Sequence, residues 1–308
     1  MRYLFYYTLF FTFNFAQFDW QDDGASIRQG LHIEWQRTGD SDPDGNMIYA
    51  WSDCRNGVRD VVVQKVDLNG NNLWGDNGVV AVNAEGRQED PQLVTDGAEG
   101  AYIIWMDYRD ETDAEGDIYA QHVNSSGTIT HDTNGELICN AENVQFNPLV
   151  RNDGSGGALI VWGDQRSGGS YSMNIQRLIP SGITLTANGK ESFFGISTDA
   201  ANEPYYHGAV YLENDESLVY WQDNRWGESK IYGAIISSSF DGTGGDYFSN
   251  SSINGQQLSS LALAQETPKA ILVGNSIFLS FKVEESPNEN LYFQLLNLDL
   301  SLNGNAVA

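Results

Sequence analysis

The sequence predicts an all-β chain folded as a five-bladed β-propeller, with four antiparallel strands in each blade. Three observations predict it. One motif returns at intervals of 54 to 60 residues along a 308-residue chain. Short apolar runs are interrupted throughout by Gly, Asn and Asp, and no long Ala/Glu/Lys/Leu-rich stretch suggests a helix. The two ends of the chain also complement each other as parts of one repeat.

The motif is Trp-x-Asp-x-Arg. It runs Trp51-Ser-Asp53-Cys-Arg55, Trp105-Met-Asp107-Tyr-Arg109, Trp162-Gly-Asp164-Gln-Arg166 and Trp221-Gln-Asp223-Asn-Arg225. A fifth copy puts Phe281, Val283 and Glu285 in the three places. Self-similarity at this period marks a repeat architecture. At spacing two in an extended strand the three side chains share one face. The Trp can then fill the space between blades while Asp and Arg pair or cap the next loop. Because these residues recur in blade after blade, a structural role is expected of all twelve.

The flanking residues repeat too. Pro91 leads to Asp96-Gly97 and Pro148 to Asp153-Gly154, a tight-hairpin signal because glycine reaches positive φ without steric cost. Asp60–Gln64, Asp117–Gln121 and Asn290–Gln294 form a matching set. Beyond them lie Asn77-Gly78, Asn134-Gly135 and Asn188-Gly189. Each copy therefore reads as strand a from the Pro, b ending at the Trp, c ending at the Gln, and d through Asn-Gly. Strand b, as in Ala101-Tyr-Ile-Ile-Trp105, shows no clean alternation, as expected of a strand packed on both faces. Repeated radially, four such strands make propeller blades.

The last copy stops at Leu302-Asn-Gly304, where strand d begins elsewhere. The segment Phe18-Asp-Trp20-Gln-Asp-Asp23-Gly24 matches Asn72-Leu-Trp74-Gly-Asp-Asn77-Gly78. The expected ring is thus closed by the N-terminal strand completing the last blade, which removes exposed sheet edges. A fragment of a longer array is the competing reading of the same ends.

The Trp-x-Asp-x-Arg and Asp-Ile-Tyr-Ala-Gln pattern resembles propeller repeats of exported bacterial proteins, mostly of unassigned activity. The resemblance covers residues 18–308 and implies architecture. It implies nothing about activity, because one fold hosts unrelated functions. The fifth blade departs from the pattern.

Met1-Arg2, an aromatic-rich apolar run over residues 3–15 and Ala16 read as an export signal, cleaved near Ala16–Gln17 to leave one domain over 17–308. The expected location is secreted, extracellular, periplasmic or cell-surface, with no membrane insertion after cleavage. A net charge of −26 excludes nucleic acid as a partner, since phosphate binding needs clustered Lys and Arg. Cys54 and Cys139 are the only cysteines, and the sequence leaves their pairing open.

One-of-a-kind residues at equivalent places are the functional candidates. The b–c loops differ most, and they share one face of a propeller with the d–a loops. Tyr108, Asp110, Glu111 and Asp113 belong to the second loop, Tyr171 to the third and Trp226 to the fourth. Together they point to a ligand-binding face. Asp40, Asp42 and Asp44, followed by Gly45, resemble the start of a calcium loop, and a structural Ca²⁺ is the one cofactor the sequence suggests. No metal-ligand histidine spacing, phosphate loop or nucleophile elbow is visible.

The expected function is a non-catalytic module that recognises glycan or another extracellular protein through the b–c face. The alternative is a glycoside hydrolase or lyase using carboxylates in the central channel. Such chemistry needs two carboxylates about 5–10 Å apart. The discriminating feature is a carboxylate at an inner-strand position unique to one blade, with Glu34 and Glu203 as candidates.

Overall fold

The computed structural model describes residues 26–27, 34–110, 116–165, 172–183, 194–197, 206–213, 215–237, 255–285 and 288–308. The fold is an all-β five-bladed β-propeller of antiparallel sheets. Blade 1 holds β1 (Glu34–Ser41), β2 (Met47–Asp53), β3 (Asp60–Val66) and β4 (Val79–Val82). Blade 2 holds β5 (Gln88–Thr95), β6 (Ala101–Asp107), β7 (Asp117–Val123) and β8 (Glu136–Cys139). In blade 3, β9 (Gln145–Asn152), β10 (Ala158–Asp164) and β11 (Ser172–Ile179) are followed by β12 (Gly182–Ile183) and β13 (Phe194–Ser197), which both pair with β11. Blade 4 holds β14 (His207–Tyr211), β15 (Glu216–Asp223), β16 (Lys230–Ser237) and β17 (Gln256–Gln257). Blade 5 holds β18 (Gln265–Val273), β19 (Ser276–Glu285) and β20 (Asn288–Asn297).

In blades 2 and 3 the second strand, β6 or β10, is buried on both faces along its whole length, whereas β19 of blade 5 alternates buried with half-buried residues. Four apolar clusters each join two consecutive blades. Trp105 lies in the cluster between blades 1 and 2, Trp162 between 2 and 3, and Trp221 between 3 and 4. Phe281 takes the same seat between 4 and 5. One large ring per blade thus fills each of these seams, and truncating such a residue to Ala costs about 3–5 kcal/mol.

The Asn-Gly pairs have a packing reason beyond turn chemistry. Gly78, Gly135 and Gly255 all have positive φ, and a Cβ there would lie 3.2, 2.6 and 2.6 Å from the rings of Trp51, Trp105 and Trp221. Each glycine lies over the blade's own tryptophan. Strand d therefore starts after the Asn-Gly and does not run through it, because Asn134 and Gly135 are both in the left-handed region.

Strand a also starts earlier than its proline, at Gln88, Gln145 and Gln265. Just before each proline the pairing register slips. Gln36, Asp90, Asn147 and Thr267 have φ of 45, 52, 49 and 49° at four equivalent β-bulges. A bulge bends its strand and re-aims a side chain. Here it does so at one height around the innermost strands.

The ring closure expected from residues 18–27 lies outside the described residues, except for Ser26 and Ile27. The Ser26 carbonyl accepts from Asn72 Nδ2 at 3.4 Å. On the outer edge of β20, Phe293 exchanges two backbone hydrogen bonds of 2.7 and 2.9 Å with Val307.

Candidate functional site

The repeat residues form a clasp below each b–c loop. In blade 2 the Trp105 indole donates to Asp107 Oδ2 at 2.8 Å, and Arg109 donates from its amide, Nε and Nη2 at 2.9, 2.9 and 2.6 Å. Arg109 Nη2 also reaches the Asn134 carbonyl at 2.8 Å, tying the b–c loop to the Asn-Gly turn. Blade 1 repeats the arrangement with Trp51, Asp53, Arg55 and Asn77. Burial pushes the Asp53 carboxyl up, but the bonds from Arg55 and the Trp51 indole outweigh it and hold it at about 2. In blade 4, Arg225 grips Asp223 in the same way, and Trp221 donates to it at 3.3 Å. In blade 3, Trp162 donates to Asp164 at 3.1 Å, while Arg166 lies outside the described residues. These carboxylates are committed to their own loops.

The loop face carries a cleft of about 470 Å³ between blades 2 and 3. Its walls are Tyr108 from the second b–c loop and Val144–Pro148 leading into β9, and Met106 and Phe146 supply apolar surface. Gly163 makes room for Phe146, since a Cβ there would fall 2.1 Å from the ring. Asp90 and Asn147, two of the bulged residues, point polar groups at this cleft from neighbouring blades.

Asp90 is the feature the sequence reading missed. It is exposed at the mouth, and among the described residues its carboxylate is in no ion pair. Partial burial and the adjacent Glu89 charge push its carboxyl above the ordinary range, against the pull of Arg59. Glu89 is gripped by Arg59 from blade 1 and by Arg87 Nε at 3.2 Å. A signal was present. Among the described bulge residues, Gln36, Asp90, Asn147 and Thr267, Asp90 is the one acid.

Among the expected binding residues, Tyr108 lines the cleft, but as a braced wall and not an open stacking platform. The Arg87 guanidinium lies 3.9 Å from its ring centroid, and a Cβ on Gly116 would lie 2.7 Å from the ring. Asp110 is exposed beside it. Trp226 is 82% exposed on the fourth loop, away from the cleft walls. Glu111, Asp113, Tyr171 and Glu203 lie outside the described residues. Glu34 sits in β1, paired in register with Asp53, where blades 2, 3 and 5 carry Gln88, Gln145 and Gln265.

The Asp40, Asp42 and Asp44 trio does not form a ligand set, and among the described residues no group of three acid, His or Cys side chains could hold a metal. Asp42 already has its cation, Lys65 Nζ at 2.7 Å, and Asp40 accepts from the Thr95 amide and hydroxyl at 3.0 and 3.1 Å. Cys54 and Cys139 are not joined in a disulfide.

No family model matches the sequence, and no curated protein is significantly similar to it. Solved structures do match in fold. A Dyadobacter fermentans protein of unknown function is 12% identical, with 90% of this chain and 82% of that one covered and a TM-score of 0.48. An α-L-arabinanase of Penicillium chrysogenum, solved with arabinobiose, is 13% identical, with coverage of 89% and 93% and a TM-score of 0.45. An α-L-arabinofuranosidase of Fusarium graminearum is 10% identical, with coverage of 90% and 82% and a TM-score of 0.47. At such identities the likeness is one of fold. It nevertheless corrects the expectation of a non-catalytic module that is not an enzyme. That expectation took the propeller for a bare binding scaffold, whereas the arabinanase and the arabinofuranosidase named above are enzymes on a similar fold.

Proposed function

We propose that the chain cleaves glycans in the cleft between blades 2 and 3, with Asp90 as the general acid. The observation that carries this reading is Asp90 itself. It is the one carboxyl among the described bulge residues, placed in the left-handed region at the mouth of a cleft, with its ionisation opposed by partial burial and the Glu89 charge. Non-glycine residues in the left-handed region cost free energy, and they gather where function needs a side chain aimed. A carboxyl whose environment resists ionisation can donate a proton to a leaving oxygen near neutral pH. Asn147, Gln92 and Gln145 supply hydrogen-bonding groups suited to sugar hydroxyls, over the apolar surface of Phe146 and Met106.

The chemistry needs a second carboxylate. Glu34, which stands where blades 2, 3 and 5 carry glutamine, and Glu203, which precedes Pro204 as Asp90 precedes Pro91, are the two assigned for testing. We read the protein as exported, on the strength of the leader-like residues 1–16.

The test is release of reducing ends from a polysaccharide panel, arabinan included, by the wild type and by the Asp90→Asn, Glu34→Gln and Glu203→Gln variants. Release by the wild type that is lost in Asp90→Asn is the expected result. Release unchanged in Asp90→Asn would remove Asp90 from the mechanism, and no release from any glycan would sink the reading.

A further inference from the structure

At the other end of the innermost strands, away from the cleft, the first three blades carry a second repeated clasp. Asp42, Asp96 and Asp153 open the a–b hairpins, and all three are buried. In each, Oδ1 accepts two amides of its own turn. These are Asp44 and Asn46 at 3.0 and 2.8 Å, Ala98 and Gly100 at 2.7 and 2.8 Å, and Ser155 and Gly157 at 2.8 and 2.9 Å. In each, Oδ2 meets a cationic side chain from the third strand, in the position just after the repeated glutamine. In blade 1 it is Lys65 Nζ at 2.7 Å, and in blade 3 it is Arg177 Nε at 2.5 Å. In blade 2 it is His122 Nε2 at 2.8 Å. Two of the pairs are permanent, and the third depends on a proton.

We propose that the blade 2 clasp is a proton switch in which protonated His122 locks the Asp96 hairpin to β7 and neutral His122 leaves it loosened. The neutral ring still donates Nε2–H to Asp96, and Nδ1, 2.7 Å from Thr130 Oγ1, changes from donor to acceptor. The contact therefore survives deprotonation, while the counter-charge is lost. A buried carboxylate without one is costly, whereas its two neighbours keep theirs. Histidine is the side chain whose ordinary pKa, about 6.5, falls in the physiological range.

The groups around His122 support this division. Tyr102 from β6 packs against the ring at 4.6 Å between centroids and donates its hydroxyl to the Gly156 carbonyl at 2.7 Å. Burial pushes the Tyr102 hydroxyl up, with Asp96 and Asp153 adding to it, so it stays neutral. His131 stands 5.9 Å away, and burial pushes its imidazole down, which disfavours a competing positive charge there. Across the seam, Arg177 is spent on Asp153 and on Ser155 Oγ at 2.8 Å. Burial pushes the Asp96 carboxyl up, but His122 and the turn amides outweigh it and hold it down. The clasp thus draws on an ionised Asp96 carboxylate.

The experiment is amide hydrogen exchange of the intact protein from pH 5 to 8.5, corrected for intrinsic rates and read at the hairpins 42–46, 96–100 and 153–157. Protection at 96–100 is expected to fall on the order of 10-fold between pH 5 and pH 8.5, as the buried carboxylate loses its counter-charge, with the other two hairpins flat. His122→Lys, which copies the residue of blade 1, is expected to abolish the fall. The proposal is overturned if the three hairpins change alike, or if the variant keeps the dependence. Should the variant fail to fold, the comparison among the three wild-type hairpins still decides.

Discussion

Blades 2 and 5 build the same sheet by different means. Blade 2 is held by polar clasps at both ends of its strands, Trp105–Asp107–Arg109 under the loop face and Asp96–His122 under the hairpin. Blade 5 has Phe281 and Val283 in the first of these places, both fully buried, while Glu285 accepts from Asn290 and Tyr292 at 2.5 and 2.8 Å. Its hairpin closes in two residues, Gly274 and Asn275, between the paired Val273 and Ser276. Apolar packing therefore suffices for a blade. What the loop-face clasp adds in blade 2 is position, since it fixes the b–c loop that carries Tyr108. Buried polar networks contribute less to stability than apolar cores of like volume, yet breaking one is expensive.

The sharpest way to break the comparison is at the bulge. Asp90→Asn is expected to lower glycan cleavage by about 100- to 10,000-fold, the range for a general acid. Thr267→Ala, at the same bulge of blade 5, should leave the rate within about threefold by the same argument. Steady-state kcat/KM for the two variants is the check.

Next comes stability. Asp107→Ala strips Arg109 and the Trp105 indole of their partner, and should cost on the order of 3–5 kcal/mol in denaturant unfolding. Val283→Ala, its blade 5 counterpart, removes apolar contacts alone and should cost about 1–2 kcal/mol. Equal losses would mean that the clasp is no more than packing.

A smaller effect is expected in the pH profile. Partial burial and Glu89 raise the Asp90 carboxyl, so its proton is held past the ordinary aspartate range near 4. Activity that needs this proton falls as pH rises through the raised value. Glu89→Gln removes the neighbouring charge, so the basic limb of kcat/KM should move to lower pH. A limb that stays in place would assign it to another group. Smallest of all, Trp226→Ala removes a side chain that is 82% exposed, and the unfolding free energy should move by less than about 0.5 kcal/mol.

The five blades, their order and the both-face burial of the second strand were legible in the sequence, because these depend on local pattern. Short apolar runs without clean alternation, Asn-Gly turns and a large ring (four tryptophans, then Phe281) every 54 to 60 residues each constrain a few neighbouring positions. The reason that glycine follows asparagine was only half legible. Turn chemistry allows it, but the tryptophan ring beneath it is contributed by a strand distant along the chain.

The candidate site was not legible for the same reason. Asp90 reads as one more acid in a chain with 42 of them. Its meaning comes from a register slip against β6, from Arg59 reaching over from blade 1, and from Asn147 facing it from blade 3. The Asp40–Asp44 segment shows the converse. Its spacing suggested calcium until the fold brought Lys65 to Asp42 and Thr95 to Asp40. The sequence by itself determined the repeating unit, because hydrogen-bonded strands and turns answer to nearby residues. Only the tertiary structure decided which acids are spent on the scaffold and which remain for chemistry, because burial and ion pairing depend on side chains from neighbouring blades.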